Sequence, residues 1–325
     1  MKQSLLRKMM ILMAAAMSFV ILVGCSSTNN TQNVIPTETA APEVTTAPES
    51  TFNVSVTDST GQTTTLTSVP KRIVSLAPST TEILAAVGVE NKIVGRTDYC
   101  NYPETIETIT TVGGTMDPNV ETIISLEPDL VVGSTHVSDE IINKLRDVGI
   151  PVVFLNEQEG FDGTYEEIRT IGNLVDELGN AEKVIDDMKA NVTKITDKVK
   201  ALNKTDKPKV YYMIGSGESD YTAGGDTFIS EMINLVGGQN IAQNISGWSI
   251  SKEQIADNQP DIIIVPSGVA TLETLKNANF YKDLEAVKAG KVYEINGDMV
   301  SRQGPREDDA LIEMAEIINP ELKNN

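Results

Sequence analysis

The chain has 325 residues, 40% of them apolar, with a single tryptophan, a single histidine, two cysteines and a formal net charge of −20. This length and apolar share support a substantial buried core, while the acidic balance excludes nucleic acid as a partner, because phosphate binding needs a basic face. One histidine, His136, cannot assemble the converging histidines and carboxylates of a zinc or manganese centre, so no metal site is expected.

Lys2, Arg7 and Lys8 precede an apolar run over residues 9–23, and Gly24-Cys25 follows. The run is shorter than the about 20 residues of a membrane span, and a small residue before cysteine suits a peptidase that leaves a lipid-modified N-terminus. Residues 1–24 therefore read as a lipoprotein signal peptide and Cys25 as the lipidation site, which holds the chain on the extracytoplasmic face of the cell membrane. Cleavage removes three basic residues and takes the charge from −20 to −23. With Cys25 acylated, Cys100 has no disulfide partner and is expected to be buried. Residues 25–51, rich in Thr, Ser, Ala and Glu with Pro36, Pro42 and Pro48, lack the apolar groups for a core and read as a disordered linker.

Alternating β-branched residues on either side of Asp58-Ser59-Thr60-Gly61 predict a hairpin. An α/β rhythm follows: strand 72–76, a helix opened by a capping box from Ser79 to Glu82 and closed by Gly88, strand 93–95, strand 130–132, helix 137–148 and strand 151–155. Helices are expected over 164–178 and 181–202, punctuated by Gly179-Asn180. Val184, Met188, Val192, Ile195, Val199 and Leu202 form one apolar stripe along the second. The alternation then resumes with strand 209–214, helix 226–236, strands 261–265 and 292–295, and a last helix over 305–318.

Two stretches repeat. Glu121 precedes Pro128-Asp129 by seven residues, and Glu253 precedes Pro260-Asp261 by seven; each Pro-Asp pair opens an aliphatic run of the kind found in buried parallel strands. Upstream of each, Glu82-Ile-Leu-Ala-Ala-Val-Gly88 is echoed by Glu231-Met-Ile-Asn-Leu-Val-Gly237. The expected fold is α/β with two similar lobes, each a mostly parallel sheet flanked by helices, over residues 52–160 and 205–325. Residues 161–204 supply connecting helices, one of them a long backbone helix. The repeat places Glu121 and Glu253 at equivalent points.

Aromatic residues are scarce, at 5%, and several fall on loops at the ends of predicted strands: Tyr99, Tyr221 and Trp248. Loops at strand carboxyl ends line ligand crevices in α/β folds, and aromatic faces there suit a large, partly apolar ligand. Asp298 and Arg302 follow the last strand and offer an acceptor and a donor; Arg306, in the first turn of the last helix, reads as a structural partner for a carboxylate. No nucleophile elbow accompanies His136 and no phosphate-binding glycine loop is present, so an enzyme is not expected. A secreted hydrolase using His136 is the alternative from another class.

Lys71-Arg-Ile-Val-Ser-Leu-Ala-Pro-Ser-Thr-Thr-Glu-Ile-Leu84, Thr97-Asp-Tyr-Cys-Asn-Tyr-Pro103, both repeated units and Ser301-Arg-Gln-Gly-Pro-Arg306 together resemble the helical-backbone substrate-binding proteins of ABC importers for cobalamin, ferric siderophores and haem. The resemblance covers nearly everything from Phe52 onward and is nearest to the cobalamin-binding member. It implies Tyr99, Tyr221, Trp248, Asp298 and Arg302 as ligand-binding residues, with a cobalamin-like corrinoid as transported ligand and no resident cofactor. Two further tryptophans of that member are replaced, near Thr115 or Met116 and near Ser134. A ferric siderophore or haem is the alternative, with Tyr99 or His136 as an axial ligand of haem. The resemblance also implies Glu121 and Glu253 as docking residues for a permease dimer that works with ATPase subunits.

Overall fold

The hairpin forms as its alternation predicts. In the computed structural model, which describes residues 52–134, 136–156 and 160–324, β1 (Val54–Thr57) and β2 (Thr63–Leu66) pair antiparallel, with Val54 opposite Leu66 and Thr57 opposite Thr63. Asp58 closes the turn by accepting from the backbone and hydroxyl of Thr60, and its other oxygen pairs with Arg146 at 2.5 Å. The signal segment, Cys25 and the linker lie outside the described residues.

The first lobe runs through β3 (Ile73–Ser75), α1 (Pro78–Ala86), β4 (Ile93–Arg96), α2 (Val120–Ser125), β5 (Leu130–Ser134), α3 (Asp139–Asp147) and β6 (Val152–Leu155). Its four strands are parallel in the order β4-β3-β5-β6. Helices α4 (Gly160–Leu174) and α5 (Leu178–Ala201) follow, and α5, with 24 residues, is about 36 Å long at 1.5 Å per residue.

The second lobe contains β7 (Lys209–Gly215), β8 (Asp220–Thr222), α6 (Phe228–Leu235), β9 (Gln239–Asn240), β10 (Ser249–Ile250), α7 (Lys252–Asn258), β11 (Ile262–Pro266), α8 (Leu272–Asn277), α9 (Glu285–Lys288), β12 (Val292–Ile295), α10 (Gly297–Ser301) and α11 (Glu307–Ile318). Strands β9, β7, β11 and β12 lie parallel in that order, the arrangement of the first lobe, and β8 with β10 extends the sheet antiparallel beside β7.

The repeat extends to individual hydrogen bonds. Asp129 accepts from the backbone N–H groups of Lys71 and Arg72, both at 2.8 Å, and Asp261 accepts from that of Lys209 at 2.8 Å. The basic residue at each strand start then donates to the end of the preceding short helix: Arg72 to the carbonyls of Leu126 and Glu127, Lys209 to that of Asn258. Each helix ends through a residue of positive φ, Glu127 at 47° and Gln259 at 43°, before its Pro-Asp pair. A Pro-Asp step thus locks one parallel strand to the next in both lobes.

Two local expectations are corrected. No capping box opens α1: its N-cap is Ala77, without a side-chain bond, and Glu82 points into buried contacts instead. The break between α4 and α5 falls at Val175 to Glu177, with Asp176 at φ 63°, rather than at Gly179-Asn180, and Gly179 is helical. The turn closes there because the N–H of Glu177 reaches back to the carbonyl of Gly172 at 2.8 Å. A Cβ on Gly172 would stand 2.4 Å from that of Ala181, so only glycine lets the two helices meet.

One apolar cluster runs through both lobes, joining Ile73 and Leu130 of the first sheet to Val210 and Ile262 of the second through α4, α5 and α11. All six residues of the predicted α5 stripe belong to it, Met188 and Ile195 buried and the other four packed at its edge. Smaller clusters cover the opposite face of each sheet. Cys100 is buried, with the hydroxyls of Thr81 and Thr97 at 3.1 and 3.2 Å from its sulfur.

Candidate functional site

From β3 the chain crosses to β4 on one side, while β5 lies on the other; β7 has the same relation to β9 and β11. The carboxyl ends of such diverging parallel strands open a crevice. The loops that carry Tyr99, His136, Gly215 to Gly217 and Asp298 all leave the sheets at this end.

The wall contributed by residues 98–103 and 298–306 is a dense polar network. Tyr99 presents its ring to solvent at 62% exposure, while its carbonyl accepts from Arg302 at 3.3 Å. Asn101 donates to Asp298 at 3.0 Å and accepts from Arg302 at 2.7 Å. Arg302 also pairs with Asp298 and with Glu82, both at 2.8 Å. Arg306 holds both oxygens of Glu82 at 2.6 and 2.7 Å and stacks over the ring of Tyr102 at 4.0 Å. Burial pulls Arg306 toward its neutral form, but the bonds to Glu82 outweigh this and leave it above its ordinary value. Tyr99, Asp298 and Arg302 are therefore brought together, with Asp298 half exposed and Arg302 largely enclosed by protein partners.

The second lobe supplies Tyr221, 60% exposed on β8, and Trp248, 45% exposed just before β10. They belong to one sheet extension: Tyr221 lies opposite Ser249, and the N–H of Thr222 donates to the carbonyl of Trp248 at 3.1 Å. Asp226 braces the Trp248 loop by accepting from Ser246 at 2.5 Å and from the N–H of Gly247 at 2.8 Å. Those donors hold its carboxyl below the usual range, the Ser246 hydroxyl first among them. Behind Tyr221, Asp220 is fully buried and accepts from Tyr211 at 2.8 Å, Tyr281 at 2.7 Å and Lys252 at 2.7 Å.

Glu121 and Glu253 occupy the second position of α2 and α7, both exposed, after the N-caps Asn119 and Ser251. Helices that return along a parallel sheet begin at the strand carboxyl ends, so both carboxylates sit at the rim of the crevice end, one per lobe. His136 is exposed with φ 80° beyond β5, and Ser134 is buried with its hydroxyl 3.1 Å from that of Ser79. Two recesses of about 480 Å³ lie against α6, where Asp226 lines one, and between α8, β12 and α11; neither is lined by Tyr99, Tyr221 or Trp248.

Sequence reasoning missed Glu82, Asn101 and Tyr102. Glu82 carried a signal, since it is an acid inside an apolar helical stretch and must find cations if that stretch is buried. Asn101 and Tyr102 lay within a quoted motif; Tyr102 carried the aromatic signal used for Tyr99, while Asn101 had no property that set it apart from an ordinary loop residue.

Residues 73–299 match the family described as periplasmic binding protein. The chain belongs to this family. Its relatives include an uncharacterised ABC transporter substrate-binding lipoprotein, YvrC of Bacillus subtilis, 35% identical over 274 residues that cover 83% of this chain and 87% of the relative. A cobalamin-binding protein of Halobacterium salinarum is 30% identical over 275 residues, 81% of this chain and 73% of that one. Among solved structures, a possible iron-binding (periplasmic solute-binding) protein from Staphylococcus epidermidis superposes with a TM-score of 0.69 at 32% identity, covering 78% of this chain and all of that one. The chain is thus an extracytoplasmic substrate-binding protein of ABC importers, and the hydrolase alternative gives way to a family of binding proteins.

Proposed function

We propose that this protein captures cobalamin or a related corrinoid in the crevice and delivers it to an ABC permease dimer with its ATPase subunits, while Cys25 anchors it to the membrane by lipid. The observation that supports this most is the set of three exposed aromatic faces at the crevice end of the sheets, Tyr99 and Trp248 on loops and Tyr221 on β8. A corrinoid is broad and apolar in its ring and fringed with amides. Aromatic faces take the ring, each adding about 0.5–1.5 kcal/mol beyond the area it covers, and the free oxygen of Asp298 accepts from an amide N–H. Arg302 orients Asp298 and meets the ligand only where its guanidinium emerges beside that carboxylate. The cobalamin-binding relative from Halobacterium supports the same ligand class.

Glu121 and Glu253 fit a docking role, since a pair of related acids at one rim matches a twofold partner with basic groups at equivalent points. The single tryptophan makes the experiment direct. Cyanocobalamin added to purified protein should quench Trp248 fluorescence with a saturable midpoint and give the same affinity by calorimetry. Absence of binding by both methods would refute the corrinoid reading.

A ferric siderophore or haem is the second reading, favoured by exposed His136 and Tyr99 at strand carboxyl ends and by the iron-related description of the Staphylococcus relative. A haem complex with a Soret band that shifts in both Tyr99→Phe and His136→Ala would support it.

A further inference from the structure

Glu82 is the one carboxylate of α1, flanked by buried Thr81, Ile83 and Leu84. Its side chain is 3% exposed and offers almost no surface to the crevice. Three N–H donors converge on it, Nη1 of Arg302 and the Nε and Nη2 groups along one edge of Arg306. Those arginines are themselves mostly enclosed, at 10% and 14% exposure, and they lie more than 200 residues away along the chain. The carboxylate therefore draws the segment after β12 against the first lobe.

Each arginine passes this position on to the loop with the exposed tyrosines. Arg302 continues to the carbonyl of Tyr99 and the amide oxygen of Asn101, and Arg306 sits 4.0 Å over the ring of Tyr102. Tyr99, Asn101 and Tyr102 thus rest on guanidinium groups fixed in place by Glu82. The electrostatic result is equally specific. Arg302 and Arg306 are matched by Glu82 and Asp298, and exposed Asp98 of the same loop adds a further negative charge, so the acids this wall leaves to solvent are Asp98 and the half-exposed Asp298. Arg96, the remaining arginine near this loop, is buried and directed at the carbonyls of Ile106, Thr97 and Glu107.

We infer that Glu82 is a positioning and specificity-determining residue: it holds Arg302 and Arg306 beneath the Tyr99 to Tyr102 loop and cancels their charge, so that the crevice discriminates against anionic cargo. The inference rests on the reading of these loops as the ligand site, and it goes beyond that reading by assigning charge selectivity to a residue almost wholly enclosed by protein. Glu82→Gln keeps the shape and leaves one uncompensated positive charge beside the crevice. Arg306→Gln leaves one uncompensated negative charge. A residue with a purely structural role would weaken all ligands alike in both variants.

The test compares cyanocobalamin, neutral overall, with its monocarboxylic acid derivative, one charge more negative, by calorimetry at low salt. The ratio of the two dissociation constants, acid over neutral, should fall about tenfold in Glu82→Gln and rise about tenfold in Arg306→Gln, with both changes shrinking at high salt. Glu82→Gln combined with Arg306→Gln should return the ratio to that of the unmodified protein. Shifts in the same direction in both single variants, or no shift, would overturn the proposal; if Glu82→Gln does not fold, Arg306→Gln still decides it. Hydrogen exchange on the ligand-free protein gives a readout that needs no ligand. Amides of residues 98–102 should exchange faster in Glu82→Gln, or in Arg306→Gln should the first not fold, while β11 stays protected. Unmodified protein that binds neither corrinoid would refute the proposed cargo, and the exchange result would then stand alone: unaltered exchange in this loop sinks the positioning role.

Discussion

Asp220→Ala tests how the hairpin that carries Tyr221 is held in the second lobe. The Asp220 carboxylate is fully buried and is the acceptor for the Tyr211 and Tyr281 hydroxyls and the Lys252 ammonium, with a longer contact to the N–H of Gly217 at 3.3 Å. Burial raises the pKa of both tyrosines, and Asp220 raises them further, so both remain protonated donors across the working range. Removing the carboxylate strands two enclosed hydroxyls, and each such loss costs about 1–3 kcal/mol. Lys252 is a third exposed and regains water, so its share is smaller. The expected loss is about 3–5 kcal/mol for alanine and less for asparagine, which keeps one acceptor. Urea denaturation followed by circular dichroism measures it. A loss under about 1 kcal/mol for alanine would show that the cluster does not hold β8 as argued. Because Tyr221 is the next residue, cyanocobalamin affinity should fall in the alanine variant even where the protein remains folded.

Glu121→Ala combined with Glu253→Ala should abolish uptake in cells while cyanocobalamin binding to the purified protein is unchanged; normal uptake would refute docking through these residues. Asp129→Ala and Asp261→Ala should each destabilise by about 1–3 kcal/mol, because each frees backbone N–H groups at the start of a parallel strand, and a loss confined to one lobe would contradict the repeat. Asp308 has its pKa raised above 3.8, by burial first and by Asp309 next, against a lowering bond from Asn191. The folded state thus holds this proton more tightly than the unfolded chain, and its contribution to stability declines as pH climbs from about 4 through the raised value. Asp308→Asn should therefore gain stability over the unmodified protein as pH goes from 4 to 7 in urea titrations; a difference that is flat or reversed would refute that assignment.

The two-lobed plan was legible because its signal is local and repeated. A Pro-Asp pair ahead of an aliphatic run states a helix end, a side-chain clamp and a buried parallel strand within a dozen residues, and both copies fold as written. The β8 and β10 extension was not legible, since strands of three and two residues among glycine and serine show no period. The α4 to α5 break was misplaced because the glycine in Gly179-Asn180 attracts a turn reading, whereas the actual stop depends on close contact between Gly172 and Ala181, which is tertiary. For the candidate site, aromatic scarcity led to Tyr99, Tyr221 and Trp248, all of which emerge exposed. The partnership of Glu82 with Arg302 and Arg306 was hidden because it spans more than 200 residues, and the spacing from Ser79 to Glu82 fits a local capping motif equally well.

The apolar cluster common to both sheets has a mechanical consequence. Ile73 and Leu130 on one side and Val210 and Ile262 on the other are parts of a single interior, so swinging the halves apart would tear open packed hydrocarbon and expose it to water. A molecule built this way does not gape and snap shut around its passenger. On the docking proposed above, leverage applied through Glu121 and Glu253 together would strain this shared interior and loosen the berth between the rims.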